Sequence, residues 1–325
     1  MAGYRIKITD GVGVYHCMTR IVGGDKVLGE DEKRVLLRQV DYLAEFCGVQ
    51  VLTHAFMDNH FHLLLEISSP PEIDDNELLR RIGVLYGSDR YLAVKSILES
   101  ADVERAKRLR ERFLARMGDL SQFMKELKQR FSIWFNRSNE RFGTLYAERF
   151  KSVLIEGKKA ALLAVAAYID LNAVRAGKVE DPGDYPFCGY GQAIRGNESA
   201  QSGLRRICNE YPWEETLSIY RVILFGKGAK GKFVGQGFTI PWELVQEVLA
   251  RHGKLDPPHF KKPSVFEEGE IVGSSDFVAA IKKKLVENSD YPKNRKSCPV
   301  AQNHQENLFA GKKPQQHRRP RKDTD

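Results

Sequence analysis

This chain has little cysteine and little histidine, and it has no long apolar run. Its 325 residues include five cysteines and eight histidines. Cys17, Cys47, Cys188, Cys208 and Cys298 are scattered, odd in number and never spaced as CxxC. That pattern argues against a disulfide framework and against a cysteine zinc cluster, and it predicts idle thiols in a reducing compartment. No apolar stretch approaches the roughly 18 residues that cross a bilayer. The first residues, Met1-Ala2-Gly3-Tyr4-Arg5, lack the apolar core of a signal peptide. A soluble, cytoplasmic protein with no membrane contact is expected. No Walker loop or dinucleotide fingerprint is present, so no nucleotide cofactor is expected.

What remains is a chain of ordinary apolar content, 42%, long enough for a catalytic domain and a smaller second unit. Its net charge is +8, which suggests a polyanionic partner. The excess is uneven. Residues 293–325 carry nine Lys or Arg against three acids, which leaves +2 on the rest of the chain. Local basic runs in the body must therefore carry the case for nucleic acid.

Hydrophobic periodicity predicts a strand over 14–22, ended by Gly23-Gly24, and a helix over 32–46 closed by Gly48. A strand over 49–56, a tight turn at 57–59 and a strand over 60–67 form a hairpin. A long helical region follows over 76–139, then a short strand over 151–156 and a helix over 159–176 that stops at Gly177. The order β-α-β-β-α-β-α is that of a split βαβ, ferredoxin-like α+β fold. It predicts a central sheet of four antiparallel strands with helices on one face. The Gly, Ser and Asn cluster over 189–203 reads as a linker or mobile loop. The domain reading is a catalytic unit over 1–190 with a helical insertion at about 74–119, a small helical module over 191–286, and a basic, disordered tail over 287–325.

The most informative residues are His60 and His62. Strand side chains alternate between faces, so both imidazoles point one way and Phe61 points the other, into a core. Two histidines at this spacing arise by chance in roughly one such chain in five, and the pair alone specifies little. Over 159–176, Tyr168 and Asn172 lie four apart on one helical face, with Arg175 nearby. A lone interior tyrosine is usually a core residue with a satisfied hydroxyl. Together the two groups fit one chemistry. Two neutral imidazoles and an amide oxygen can hold Mg²⁺ or Mn²⁺ with open positions for phosphate oxygens. A tyrosine oxygen is a competent nucleophile toward a phosphate polarised in that way.

Three ordered blocks carry a family resemblance. They are His54-Ala55-Phe56-Met57-Asp58-Asn59-His60-Phe61-His62-Leu63-Leu64, Arg141-Phe142-Gly143-Thr144-Leu145-Tyr146-Ala147-Glu148-Arg149-Phe150-Lys151-Ser152, and Tyr168-Ile169-Asp170-Leu171-Asn172-Ala173-Val174-Arg175-Ala176-Gly177, the last followed by Asp184-Tyr185-Pro186-Phe187. Residues 10–190 thus resemble the single-tyrosine HUH transposases, in particular the REP-associated tyrosine transposases related to the insertion sequence 200 type. The resemblance implies an HUH version of the ferredoxin-like fold. It implies metal ligation by His60, His62 and Asn172, with Mg²⁺ or Mn²⁺ as cofactor. It implies attack by Tyr168 on single-stranded DNA beside a hairpin or palindromic repeat, leaving a 5′-phosphotyrosine and a free 3′-OH, and action as a homodimer in DNA transposition. Three features depart from the family: Ala173 and Asp58 stand where proline is usual, and residues 74–119 are longer than the core needs.

In such an enzyme Arg137, Arg141, Arg149, Lys151 and Arg175 would contact nucleic-acid phosphates, and Tyr146 and Phe142 would stack on unpaired bases. The competing description of these residues is a solvated charged face with core aromatics. Two other functions share the core: a site-specific nickase of the replication-initiator kind, and a domesticated protein that binds hairpin or repeat DNA without transposition.

Overall fold

The computed structural model describes residues 6–8, 11–69, 72–228, 239–252, 265–287, 297–299 and 308–312. Strand β1 (Val12–Arg20) is buried at all but its two end residues. Helix α1 (Glu30–Cys47) opens on Glu30, Asp31 and Glu32, which complement the positive end of its dipole. It ends at Gly48, whose φ of 66° is the left-handed cap conformation that favours glycine. Strands β2 (Val49–Phe56) and β3 (His60–Ser68) follow as an antiparallel hairpin. The Met57 amide donates to the His60 carbonyl at 2.8 Å and closes the turn.

The predicted long helical region is four helices: α2 (Asp75–Tyr86), α3 (Ser88–Leu98), α4 (Val103–Leu114) and α5 (Leu120–Ser138). Gly87 and Gly118, at φ of 82° and 62°, make two of the breaks. Strand β4 (Lys151–Ile155), α6 (Lys159–Asp170) and the short α7 (Asn172–Arg175) come next, so the predicted 159–176 helix is interrupted at Leu171. Beyond them lie α8 (Gly189–Ile194), α9 (Glu198–Ile207), α10 (Trp213–Gly228), α11 (Trp242–His252), α12 (Val265–Glu268), β5 (Gly269–Ser274), α13 (Ser275–Glu287), β6 (Ser297–Pro299) and β7 (Leu308–Lys312).

The sheet order begins β2-β3-β1-β4, with every pair antiparallel. That is the split βαβ arrangement, and it puts β3 in the interior. The expectation of four antiparallel strands needs correction, because β5 joins parallel to β4 and makes a five-stranded mixed sheet, which β7 and β6 extend. An open β4 edge would leave ladder groups unpaired. Instead the Glu156 amide donates to the Val272 carbonyl at 2.8 Å.

The helices also cover both faces rather than one. Phe61, Leu63 and Leu65 point to the side where α1 and α5 pack together, and Tyr15, cross-strand from Leu65, feels the charge of Asp119 at the start of α5. His62 and Leu64 point to the other side, toward α6. Both faces of β3 are buried, so both need cover.

The 189–203 segment is not a linker. It forms α8 and the start of α9, and its glycines are contact points. A Cβ on Gly203 would sit 2.4 Å from the Leu52 carbonyl, and one on Gly191 would sit 2.0 Å from that of Tyr185. Cys17, Cys47, Cys188 and Cys208 are buried. Among the described residues no helix is long and apolar enough to cross a membrane. The tail residues 288–296, 300–307 and 313–325, with the basic run Arg318-Arg319-Pro320-Arg321-Lys322, lie outside the described residues.

One buried carboxylate ties the C-terminal helices to the sheet. Asp170, at the end of α6, has no exposed surface. It accepts from the Thr53 hydroxyl at 2.9 Å, from the Tyr190 amide at 3.1 Å and from the Tyr220 hydroxyl. Burial pushes its carboxyl up to about 6. Replacing Asp170 with alanine orphans three buried donors, each costing roughly 1–3 kcal/mol. The expected result is a loss of about 3 kcal/mol or more in urea unfolding. An unchanged midpoint would show that the network adds nothing.

Candidate functional site

The register assembles the site. His62 on β3 faces Met18 on β1 and Ala55 on β2, and Met18 faces Lys151 on β4. His60 faces Arg20 in the next paired row, and His16 lies diagonally from His62. Residues directly opposite in a ladder share a face. One face at one end of the sheet therefore carries His16, His60 and His62 with the cations Arg20 and Lys151 beside them.

The hydrogen bonds define which imidazole nitrogens hold protons. His16 is fully buried, and its Nδ1 lies 2.8 Å from the Phe266 carbonyl. A carbonyl only accepts, so His16 Nδ1 carries the hydrogen. Burial pushes the His16 pKa down to about 4, so its Nε2 is a bare acceptor at neutral pH. That nitrogen is 2.9 Å from His62 Nδ1, which must then be the donor. His62 is itself held well below the ordinary histidine value, by burial first and then by the neighbouring His16, His60, Arg175 and Arg20. Its Nε2 is left as a buried lone pair with no hydrogen-bond partner.

His60 reaches the same state separately. Its Nδ1 lies 2.7 Å from Asn59 Oδ1, and the Asn59 amide nitrogen is oriented by donation to the Gly24 carbonyl at 3.0 Å. Burial pushes His60 down to about 4. Both histidines of the pair are thus neutral, with Nδ1 protonated and Nε2 as lone pair, and their rings lie 5.1 Å apart, nearly perpendicular. Metal-binding imidazoles commonly show this arrangement, with the far nitrogen donating to a supporting group.

Tyr168 enters from α6. Its ring stands at 90° to His62 with centroids 6.1 Å apart, and edge-on to His16 at 6.2 Å. Phe266 packs on it at 5.1 Å, and the Arg175 guanidinium covers it at 4.4 Å. The hydroxyl donates to Glu267 Oε1 at 2.5 Å. Burial first, and the Glu267 charge next, raise the phenol pKa above its usual value.

Asn172 follows the break at Leu171. Its amide nitrogen donates to the Tyr168 carbonyl at 3.2 Å and the Ile169 carbonyl at 3.1 Å. Arg175 donates to the same Tyr168 carbonyl. Among the described residues no three His, Cys, Asp or Glu side chains are grouped to hold a metal ion. A cation here would rest on the two imidazoles and the Asn172 amide oxygen. The orphaned His62 Nε2 fits such a cation, because a buried acceptor without a donor is costly unless something binds it.

The basic loop runs beside this face. The Ala147 amide donates to the Arg20 carbonyl at 3.0 Å, and Val22 to the Leu145 carbonyl at 3.0 Å. Arg137, Arg149 and Lys151 are exposed and Arg141 is half-buried. Lys151 pairs with Glu148 at 3.0 Å. Tyr146 is not offered to solvent: its ring is buried under the Lys128 ammonium at 4.6 Å. Its backbone bridges Ile21, and its side chain packs inward together with that of Leu145 beside it. Phe142 is 94% exposed and is the aromatic available for stacking in that loop.

Sequence reasoning missed His16 and Glu267. His16 carried a signal, since strand alternation puts it on the face of Met18 and Arg20, but only the β1–β3 register brings it to His62. Glu267 had none.

No family model matches the chain, and no curated protein matches it. Among solved structures, a REP-associated tyrosine transposase bound to a REP hairpin aligns over 66% of this chain and 90% of that one. The identity is 14% and the TM-score 0.39.

Proposed function

We propose that this protein cleaves single-stranded DNA and rejoins it through a tyrosine–phosphate intermediate, with Mg²⁺ or Mn²⁺ held by His60, His62 and Asn172. The observation that carries the reading is the edge-on contact between the Tyr168 ring and His62, a neutral imidazole whose lone pair is buried and unpartnered and which stands beside neutral His60. A chemistry that pairs a buried phenol with metal-ready histidines is phosphoryl transfer to tyrosine. The bound cation would draw charge from the scissile phosphate. Tyr168 Oη forms a bond to phosphorus while the bond to O3′ breaks. The 5′ phosphate stays on the tyrosine and the strand leaves as a 3′-OH. A second 3′-OH reverses the step, so joining needs no nucleotide. Arg20, Lys151 and Arg149 supply positive charge at the mouth for the flanking phosphates. Transposition of hairpin-flanked DNA by a homodimer is the biological form of this reaction that the sequence motifs favour.

The test is direct. The full chain is incubated in Mn²⁺ with oligonucleotides carrying a fixed hairpin and a randomised unpaired flank. A covalent protein–DNA species that resists denaturation is expected, and chelator should abolish it. Binding without any adduct, unchanged by chelator, would overturn the reading in favour of a repeat-binding protein.

His16 gives a graded check. It holds His62 Nδ1 and so orients Nε2, as supporting groups of metal histidines do. His16→Leu is expected to weaken Mn²⁺ binding by roughly 10–100-fold in calorimetry. Equal affinities would mean that the His16–His62 bond plays no part in ligation.

A further inference from the structure

Glu267 is far from the sequence motifs, yet its carboxylate is the proton acceptor bonded to the Tyr168 hydroxyl. The groups around that hydroxyl leave few alternatives. His16 uses both ring nitrogens, on Phe266 and on His62. His62 Nδ1 is spent on His16, and its Nε2 is the lone pair assigned above to a cation. Arg175 and Arg20 are cations with no acceptor.

The segment that carries Glu267 is pinned on several sides. The Phe266 carbonyl receives His16 Nδ1 at 2.8 Å, the Phe266 ring packs on Tyr168 at 5.1 Å, and Glu267 Oε2 lies 3.4 Å from Arg20. Strand β5 follows directly and is built into the sheet beside β4. The carboxylate is therefore delivered by a fixed element to the one place where a phenol must lose its proton.

We infer that Glu267 is a catalytic residue of the proposed reaction, accepting the Tyr168 proton as the tyrosine attacks phosphorus. This rests on the reading of Tyr168 as the nucleophile. As Oη bonds to phosphorus, its hydrogen passes to Glu267 Oε1. O3′ leaves with the electron pair of its broken bond and takes a proton from water, while Glu267 keeps the tyrosine proton for as long as the phosphotyrosine lasts. In the joining direction the incoming 3′-OH gives its proton to water as it bonds to phosphorus, and the protonated carboxyl returns its own to the departing tyrosine oxygen. The role explains an otherwise awkward arrangement. Burial and the adjacent charge raise the phenol pKa, and the carboxylate bonded to the hydroxyl gives its proton a place to go as the bond to phosphorus forms.

The experiment uses the full chain, the same hairpin library in Mn²⁺, and single-turnover adduct formation beside DNA affinity. Glu267→Gln keeps the shape and removes the acceptor. It is expected to slow adduct formation by about 10²–10⁴-fold with DNA affinity retained, and Glu267→Asp should recover part of the rate. A difluorotyrosine at position 168, which ionises more readily, should shrink the Gln penalty by about tenfold or more, which a merely structural role would not do. A Glu267→Gln protein as fast as wild type or faster overturns the inference, because the carboxylate would then be idle or a brake. So does a penalty unchanged by fluorination. Absence of any adduct in wild type instead removes the reading of the site itself, and this inference with it.

Discussion

Replacing Tyr168 with phenylalanine is expected to abolish the covalent adduct, on the order of 10⁴-fold or more in rate, while DNA binding survives. Loss of a nucleophile costs that much because no other group can form the bond. Phenylalanine is a fair probe here because the ring's contacts do not involve the oxygen. The edge contacts to His62 and His16, the packing of Phe266 and the cover of Arg175 all remain. The change removes only the hydroxyl and its bond to Glu267, whose carboxylate keeps Arg20. Fold and affinity should therefore persist, and denaturing gels read the chemistry alone. An adduct that forms undiminished in the phenylalanine variant places the nucleophile elsewhere.

The second large effect concerns the histidine pair. His62→Ala is expected to lower Mn²⁺ affinity by more than about 100-fold, since loss of a mere supporting group already costs roughly 10–100-fold. Cleavage should fall with it. The confounding factor is that His62 is 2% exposed, so alanine also leaves a cavity and frees His16. His54 provides the control. It is buried on β2, its Nε2 is also unpartnered, and burial pushes it down to about 4 as well. Its register with Leu63 puts it on the opposite face of the sheet. His54→Ala should cost comparable stability and leave Mn²⁺ binding unchanged. Equal losses of metal affinity in the two variants would reduce the His62 effect to general destabilisation.

The pKa values set the pH range for that measurement. His60 is neutral above about 4 in the folded protein. Its lone pair is available at neutral pH without releasing a proton, and protons compete with the cation only as the pH falls toward that value.

Local chemistry was enough to read much of this molecule. The β2–β3 hairpin with its turn at 57–59, the helix closed by Gly48, and the β2-β3-β1-β4 order all follow from periodicity, turn residues and connection rules. So does the shared face of His60 and His62, because alternation along a strand is a property of the backbone itself. Tyr168 lies where helical periodicity put it. The tyrosine and the histidines face one another because α6 covers the face opposite to Phe61.

Other features depended on contacts between residues far apart in the chain. Gly, Ser and Asn over 189–203 have the composition of a loop, and became α8 and α9 because glycine permits close approach to β2 and to Tyr185. Strand β5 carries glycine at 269 and 273, which interrupts a strand pattern, and it forms because the β4 edge accepts it. Tyr146 looks like a stacking residue until its bridge to Ile21 turns it inward. His16 and Glu267, 46 and 99 residues from their partners His62 and Tyr168, acquire meaning only from the register of β1 on β3 and from the placement of α12. Which residues could do chemistry, and which way each points from its own strand or helix, follows from neighbours a few residues away in the chain. Which nitrogen of His16 and His62 holds its proton, and what accepts the hydrogen of Tyr168, depend on groups that the chain brings together only by folding.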